Sequence, residues 1–495
     1  MGKNALVIGS GVAGIAASIR LAGKGYSVKV FEANAYPGGK LSEIQIKGYR
    51  FDAGPSLFTM PELVDELFTL AGKDPKEFFD YEKLEVICNY FWEDGKRIQA
   101  FADLDRFVEE VETKLGEPAQ NIRKALKDAS YIYEHLAPLF LEKSLHHWTT
   151  WTNSHALKSY LKMGKLGIFS TMNEANQRLF SQPKLVQLFN RYATYNGSDP
   201  YRTPATLNII PHLEFNRGAY FPKKGMHAIT QSLYELAKSL GVEFHFNSNV
   251  EEVLVEKGKA IGIRTNTDSF IADAVVNNMD MVNAYKTILK KQDQPKLLLN
   301  QPKSSSALIF YWGVKKVFPE LDLHNILFSD NYREEFDHIF KKGSIYSDPT
   351  VYINITSVHR PEDAPEGCMN WFTMINVPNN QGQNWDQLIQ KARKDIISKI
   401  NRVLKTDLEP LIVAEEILEP RTIESKTSSA HGALYGNSSN NRFAAFLRHA
   451  NYSSKIKNLY FCGGSVHPGG GIPLSLLSAK IMSEMISPES RDQSQ

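Results

Sequence analysis

Hydrophobic and polar positions change period several times along this chain, and each change marks an element. Asn4 to Ile8 is a mostly apolar run of strand length, and the helix-prone stretch Ala13 to Lys24 follows it almost at once. A second β-rich run, Ser27 to Phe31, ends at Glu32. Gly48 to Ser56 reads as a strand entering a rigid turn, because Gly54-Pro55 closes it. From Leu104 to Phe189, apolar residues recur at three- and four-residue spacing among charged ones, which predicts a mostly helical insertion. An amphipathic helix is predicted over His227 to Leu240. Strands follow at Val242 to Phe246, Val250 to Val255, Ala260 to Thr265 and Phe270 to Val276. Tyr285 to Arg421 is mixed, with strands at Ser306 to Trp312 and Thr350 to Ile355 and a helix near Trp385 to Leu404. The chain then returns to a strand, a glycine turn and a helix, Leu474 to Ile486, before a frayed tail from Ser487 to Gln495.

Strand, turn and helix recur at both ends, so the predicted class is α/β, with a Rossmann-like domain assembled from separated segments. Gly9-Ser10-Gly11-Val12-Ala13-Gly14 joins the first strand to its helix. Gly9 permits the tight turn, Gly11 lets backbone approach a pyrophosphate, and Gly14 lets helix pack on strand. Glu32 lies where a carboxylate accepts from both hydroxyls of an adenosine ribose and repels a 2′-phosphate, which favours FAD or NAD over NADP. A second glycine pair, Gly38-Gly39, followed by Lys40, suits the longer flavin dinucleotide, and Lys40 is a candidate phosphate contact. Near the C-terminus, Gly469-Gly470-Gly471-Ile472-Pro473 makes a loop able to lie flat on a ring, with Pro473 in the first turn of a helix whose positive end favours the charge of a reduced flavin.

Composition narrows the possibilities. The 495 residues carry 57 basic and 55 acidic side chains, a net charge of +2, so no global field draws nucleic acid. Cys88, Cys368 and Cys462 are too far apart for a disulfide framework or a thiolate metal site. No signal-like segment precedes the first strand, and no apolar run of about 18 residues appears. The expectation is a cytoplasmic protein without a membrane span. HExxH, CxxC and GxSxG patterns are absent, so metal and serine-nucleophile chemistry have no support.

Taken together, the Gly9 to Glu32 unit, Gly38-Gly39, Phe51-Asp-Ala-Gly-Pro-Ser56, Tyr220-Phe-Pro-Lys-Lys-Gly-Met226 and Leu459-Tyr-Phe-Cys-Gly-Gly-Ser-Val-His-Pro-Gly-Gly-Gly-Ile-Pro473 resemble the bacterial-type phytoene desaturases. The likeness spans essentially the whole chain. Arg191-Tyr-Ala-Thr-Tyr-Asn-Gly-Ser198 and Ile210-Pro-His-Leu-Glu214 are most similar to the hydroxycarotenoid 3,4-desaturases. The resemblance implies non-covalent FAD and a carotenoid substrate. It implies a site of Gly9, Gly11, Val12, Ala13, Gly14 and Glu32; of Gly38, Gly39 and Lys40; of Pro55, Ser56 and Leu57 near the flavin; of Val250 at the adenine; of Asn278 at the family's second strand-end motif; and of Gly463 with Gly464, Gly471, Ile472 and Pro473, the last four along the ring. Lys224 departs from the family, standing where the first of two glycines is usual.

The implied domains are an FAD-binding one of residues 1–80, 220–290 and 425–495, and a substrate-binding one of residues 81–219 and 291–424, with the helical insertion at about 104–190. A saturated bond beside a polyene has no proton that a side chain near neutral pH removes unaided, so the cofactor does the hard step. The expected chemistry is hydride transfer from an allylic carbon to flavin N5, then proton loss, with 3,4-desaturation of a 1-hydroxylated acyclic carotenoid as the specific reading. A phytoene- or lycopene-type desaturase, a flavin-dependent isomerase, an amine oxidase and a non-catalytic prenyl escort share most of these motifs. The electron acceptor, oxygen or a quinone, stays open, and no catalytic residue is assigned; His212, His227 and His467 are candidates by position. Leu145 to Phe169 interleaves Trp148, Trp151, Tyr160, Leu161, Met163 and Phe169 with Lys158, Lys162 and Lys165, which predicts a helix lying on the inner face of the membrane.

Overall fold

The computed structural model describes residues 2–152, 167–441, 444 and 446–488, apart from the side chains of 148 and 149. Most of the predicted membrane-facing segment therefore lies outside the described residues.

One parallel sheet gathers strands from both ends of the chain. Its strands are β1 (Asn4–Ile8), β2 (Ser27–Phe31), β3 (Glu243–His245), β4 (Ala274–Asn277) and β5 (Leu459–Phe461), in the order β5-β4-β1-β2-β3. Every pairing is parallel, with Val7 opposite Val30 on one side and Val276 on the other. Such a sheet must be covered on both faces, which is why β1 and β4 read as nearly unbroken apolar runs. Helices α1 (Val12–Gly23), α2 (His227–Ser239) and α3 (Ile472–Glu484) cover one face. Ile15, Ile19, Ile229, Leu233, Leu476 and Met482 meet there in a common core. The order of connection reverses at β1, whose neighbours β2 and β4 lie on opposite sides. The crevice beyond the carboxyl ends of β1 and β4 is thus the topological switch point where such sheets bind ligands.

The predicted single strand Phe270 to Val276 is two strands in different sheets. Ser269–Ile271 pairs antiparallel in a three-stranded sheet with Lys259–Thr265 and Val250–Glu256, whereas β4 joins the parallel sheet. Asp273 makes the break: its N–H donates to the Asn4 carbonyl and its carboxylate accepts from the Asn4 N–H, both at 3.0 Å. Period alone cannot see such a hand-over, because both halves are apolar.

A seven-stranded mixed sheet forms the second body, in the order Ile412–Leu418, Ser306–Val314, Met369–Val377, Val351–Asn354, His324–Leu327, Val86–Phe91, Arg97–Phe101. One face carries Trp312, Trp371 and Ile375 against the helix Trp385–Leu404. The other carries Ile309, Tyr311 and Phe372, packed toward Ala53 and the strand Tyr49–Asp52. The predicted helical region contains Leu104–Leu115, Ala119–Phe140, Met172–Leu179 and Pro183–Asn190, which pack on Tyr90 and Phe215.

Candidate functional site

The first glycine turn takes the shape its residues allow. Gly9 has φ +92°, and a Cβ at Gly14 would sit 2.1 Å from the Gly9 carbonyl oxygen, so only glycine lets α1 start so close to β1. The Gly38-Gly39 loop lies directly on this turn. Gly38 N–H donates to the Ser10 carbonyl at 2.8 Å, and a Cβ at Gly39 would stand 3.5 Å from the Gly11 Cα. Two glycine backbones thus face one another above the positive end of α1. That is a cradle a side chain would fill, and it fits a pyrophosphate. Val12 and Ala13 form the first turn of α1, with Ala13 buried.

Glu32 stands at the end of β2 and is buried. Ser10 donates to one oxygen through both its N–H and its hydroxyl, each at 2.8 Å, and Asn34 donates twice to the other at 2.9 Å. The carboxylate is therefore held in place beside the turn before any ribose arrives. Val250 opens its strand close by, since Ser248 N–H donates to the Glu32 carbonyl at 2.8 Å. Glu32 and Val250 are thus neighbours in space.

Asn278, just beyond β4, fits between the two ends of the chain. With its amide oxygen turned toward α1, it accepts from the N–H groups of Gly11 and Gly14 at 3.2 Å. A Cβ at Gly463 would lie 2.7 Å from the same amide, so Gly463, with φ +107°, is glycine because Asn278 is there. Asn278 acts here as a clasp joining the N-terminal and C-terminal turns. Gly464 backs onto Gly470, and Gly471, with φ +100°, caps α3 with no atom within 4 Å of where its Cβ would be. The Gly471-Ile472-Pro473 turn therefore presents open backbone.

Lys40 has protein partners that its sequence does not reveal. Its ammonium donates to the carbonyls of Leu434 at 3.0 Å and Ala433 at 3.3 Å; burial lowers its pKa to about 8, against the opposing pull of Asp280. Two of its three N–H groups are engaged there, which leaves one for a phosphate. Ser56 Oγ sits 2.8 Å from the Tyr352 hydroxyl, which is 2.7 Å from His324 Nδ1, while Pro55 and Leu57 are partly exposed beside it.

The three candidate histidines are not brought together. His212 stacks on Tyr133 and contacts Asn216 at 2.9 Å. His227 faces Glu43 at 3.5 Å, at the start of α2. His467 is buried, with Nε2 2.8 Å from the Lys143 carbonyl, and burial lowers its pKa to about 4. None shows the arrangement of a poised base.

Two polar groups escaped the sequence reading. Tyr352 and His324 are one. The other is a buried cluster in which Arg191 donates to the hydroxyls of Tyr195 and Tyr90, both at 2.6 Å, and faces Glu214 at 3.4 Å, while Tyr192 donates to Glu214 at 2.7 Å. The segments holding Arg191 and Glu214 stood out only by resemblance. No pattern in sequence could pair them with Tyr90 on a distant strand. Among the described residues, no cluster of His, Cys, Asp or Glu could hold a metal ion.

Comparison with known proteins now decides the family. Residues 12–486 match the model of the flavin-containing amine oxidoreductases. The chain belongs to that family. Within it, the chain is 54% identical to a 1-hydroxycarotenoid 3,4-desaturase from Flavobacterium sp. (strain P99-3), over 98% of this chain and 99% of the relative. It is 33% identical to a 4,4'-diapolycopene oxygenase from Methylomonas sp., over 98% of each. In fold it is similar to an oxidoreductase from Methanosarcina mazei, with a TM-score of 0.61 and 16% identity over 97% of this chain and 100% of that one. The protein is accordingly an FAD-dependent oxidoreductase of the carotenoid desaturase branch of the flavin-containing amine oxidoreductases, with the α/β fold expected.

Proposed function

We propose that this flavin-containing amine oxidoreductase desaturates a 1-hydroxylated acyclic carotenoid at its 3,4 bond. The observation that carries the reading is the 54% identity, end to end, with a desaturase of that printed activity. The glycine cradle supports it. Gly9, Gly11, Gly14, Gly38, Gly39 and Glu32 would hold the dinucleotide, and the Gly463–Gly464 and Gly471–Pro473 turns would lie along the flavin, within a domain of residues 1–80, 220–290 and 425–495. Bound FAD supplies a two-electron acceptor for a hydride that no side chain could take. The chain's own part is to clamp the polyene, exclude water through the apolar face of the seven-stranded sheet, and keep buried histidines such as His467 neutral. The isomerase, amine-oxidase and escort readings are not favoured by these relatives.

The decisive assay is optical. Purified protein should show a flavin spectrum, and a 1-hydroxylated acyclic carotenoid should gain a conjugated double bond and absorb at longer wavelength. A flavoprotein that leaves the double-bond count of every carotenoid unchanged would defeat the reading.

The same proposal places the protein on a membrane surface, where its substrate dissolves. No described helix is long and apolar enough to cross a bilayer. Exposed Phe169 follows Ile168, which packs with Phe140 on the Ile132–Leu136 cluster, and exposed Phe446 meets Phe140 and Trp151 edge-on and stacked. Exposed apolar rings gathered in one place suit an interfacial contact. Phe169→Ser combined with Phe446→Ser should lower co-sedimentation with anionic liposomes several-fold, and equal pelleting would refute the contact.

A further inference from the structure

In a carotenoid hydroxylated at C1 and desaturated at C3–C4, the oxygen is only three bonds from C3. At ordinary bond lengths of about 1.5 Å this puts it roughly 4 Å or less from a reacting carbon. A group that recognises the hydroxyl must therefore lie beside the reacting centre, not at the far end of a tunnel. This argument rests on the substrate reading above and on Pro55 to Leu57 lying near the flavin.

Around that loop the inner face of the seven-stranded sheet is largely apolar. Ile309, Phe372 and Met374 occupy it, and the hydroxyl of Tyr311 is already committed to the Ala53 carbonyl at 2.7 Å. The polar chain that reaches the loop is Ser56–Tyr352–His324. Hydrogen-bond bookkeeping gives this chain a direction. The Asn354 amide, which can only donate, faces His324 Nδ1 at 3.3 Å and so requires Nδ1 to be the unprotonated nitrogen; its single lone pair takes the proton of the closer Tyr352 hydroxyl at 2.7 Å. The Ser56 hydroxyl then donates to the Tyr352 oxygen at 2.8 Å. What remains at the loop end of the chain is unused acceptor capacity, on Ser56 Oγ and on the Tyr352 oxygen. His324 is buried at 3% exposure, and burial lowers its pKa to about 3, so it stays neutral and holds the chain in this sense. Its Nε2, the protonated nitrogen in this tautomer, is buried without a hydrogen-bond partner, so the ring is fixed on the Nδ1 side alone. Ser56 and Tyr352 keep partial exposure although both lie inside the fold. The Arg191 cluster is a weaker candidate, because Tyr90, Tyr195 and Glu214 already engage both terminal nitrogens of its guanidinium.

We propose that Ser56 and Tyr352, aligned by His324, form the subsite that accepts a hydrogen bond from the C1 hydroxyl of the substrate and so selects hydroxylated over hydrocarbon polyene ends. A hydrocarbon end in that place would cover two acceptors without pairing them, which is the kind of mismatch that discriminates strongly.

The test compares kcat/KM for a 1-hydroxylated acyclic carotenoid with that for lycopene, in the wild-type holoenzyme and in Tyr352→Phe and Ser56→Ala, each checked for flavin content. The expected result is a fall of about tenfold or more in the hydroxylated-to-hydrocarbon ratio for both variants, the order of one lost hydrogen bond to a neutral partner. A second readout needs no turnover. On holoenzyme with its flavin reduced beforehand, titration followed by polyene absorption should show the variants weakening the hydroxylated ligand about tenfold more than lycopene. If wild type prefers the hydroxylated substrate and both variants keep that preference within about twofold, the subsite is overturned while the substrate reading stands. If wild type itself shows no preference, the substrate reading falls and the subsite falls with it.

Discussion

A Cβ placed at Gly14 would lie 2.1 Å from the Gly9 carbonyl oxygen, a separation no packing adjustment absorbs without moving the turn. Gly14→Ala should therefore destabilise the protein by about 3 kcal/mol and lower the flavin-to-protein ratio, both measurable on one preparation by thermal melting and absorbance. This demand was readable from the chain, because the GxGxxG spacing encodes it. The buried ion pair was not. Arg191 and Glu214 are 23 residues apart in sequence, and their tyrosine partners come from their own segment and from Tyr90 on another strand. Arg191→Met should cost about 3–5 kcal/mol by leaving Glu214 buried without a counter-charge, and adding Glu214→Leu should cost less than the single change. Urea unfolding of the single and double variants beside wild type checks the order.

Element by element, the ends of β1, β4 and β5 are tied by one side chain. Asn278 accepts from the N–H groups that open α1 and stands against Gly463 beyond β5. Asn278→Ala leaves two helix N-terminal donors without a protein partner, and should lower stability by about 1–2 kcal/mol even in flavin-free protein. A urea midpoint unchanged without flavin but shifted with it would mean that the residue acts on the cofactor alone. Helices and strands were mostly foreseen, as with Trp385–Leu404, whose bounds agree to the residue. The strand pair Ser269–Ile271 and β4 was not separated, because a single Asp273 between apolar residues reads equally well as the solvent-facing position of one strand.

Across the whole molecule, burial of titratable groups sets a pH dependence. Burial lowers the pKa of His324 to about 3 and those of His449 and His467 to about 4, and raises that of Glu335 to about 7. Between pH 6.5 and 4.5 the unfolded histidines bind protons that the folded ones refuse, so stability falls as pH falls. Glu335 works in the opposite sense there, because its folded form holds the proton. Among these four groups the three histidines outnumber the one carboxyl, so their joint contribution to stability falls as pH falls through that window. Urea midpoints at pH 5 and 6 test the slope, and replacing His467 with Gln should flatten it. The amino-acid sequence alone determined the nucleotide turns, the acid at the end of β2 and the α/β class, because each depends on local spacing. Tertiary structure alone decided that Asn278 clasps both termini, that Lys40 turns to Ala433 and Leu434, and that Ser56 meets Tyr352 and His324. Those partners lie far apart along the chain, and only the pairing of distant strands and the loops folded over their ends bring them within a hydrogen bond.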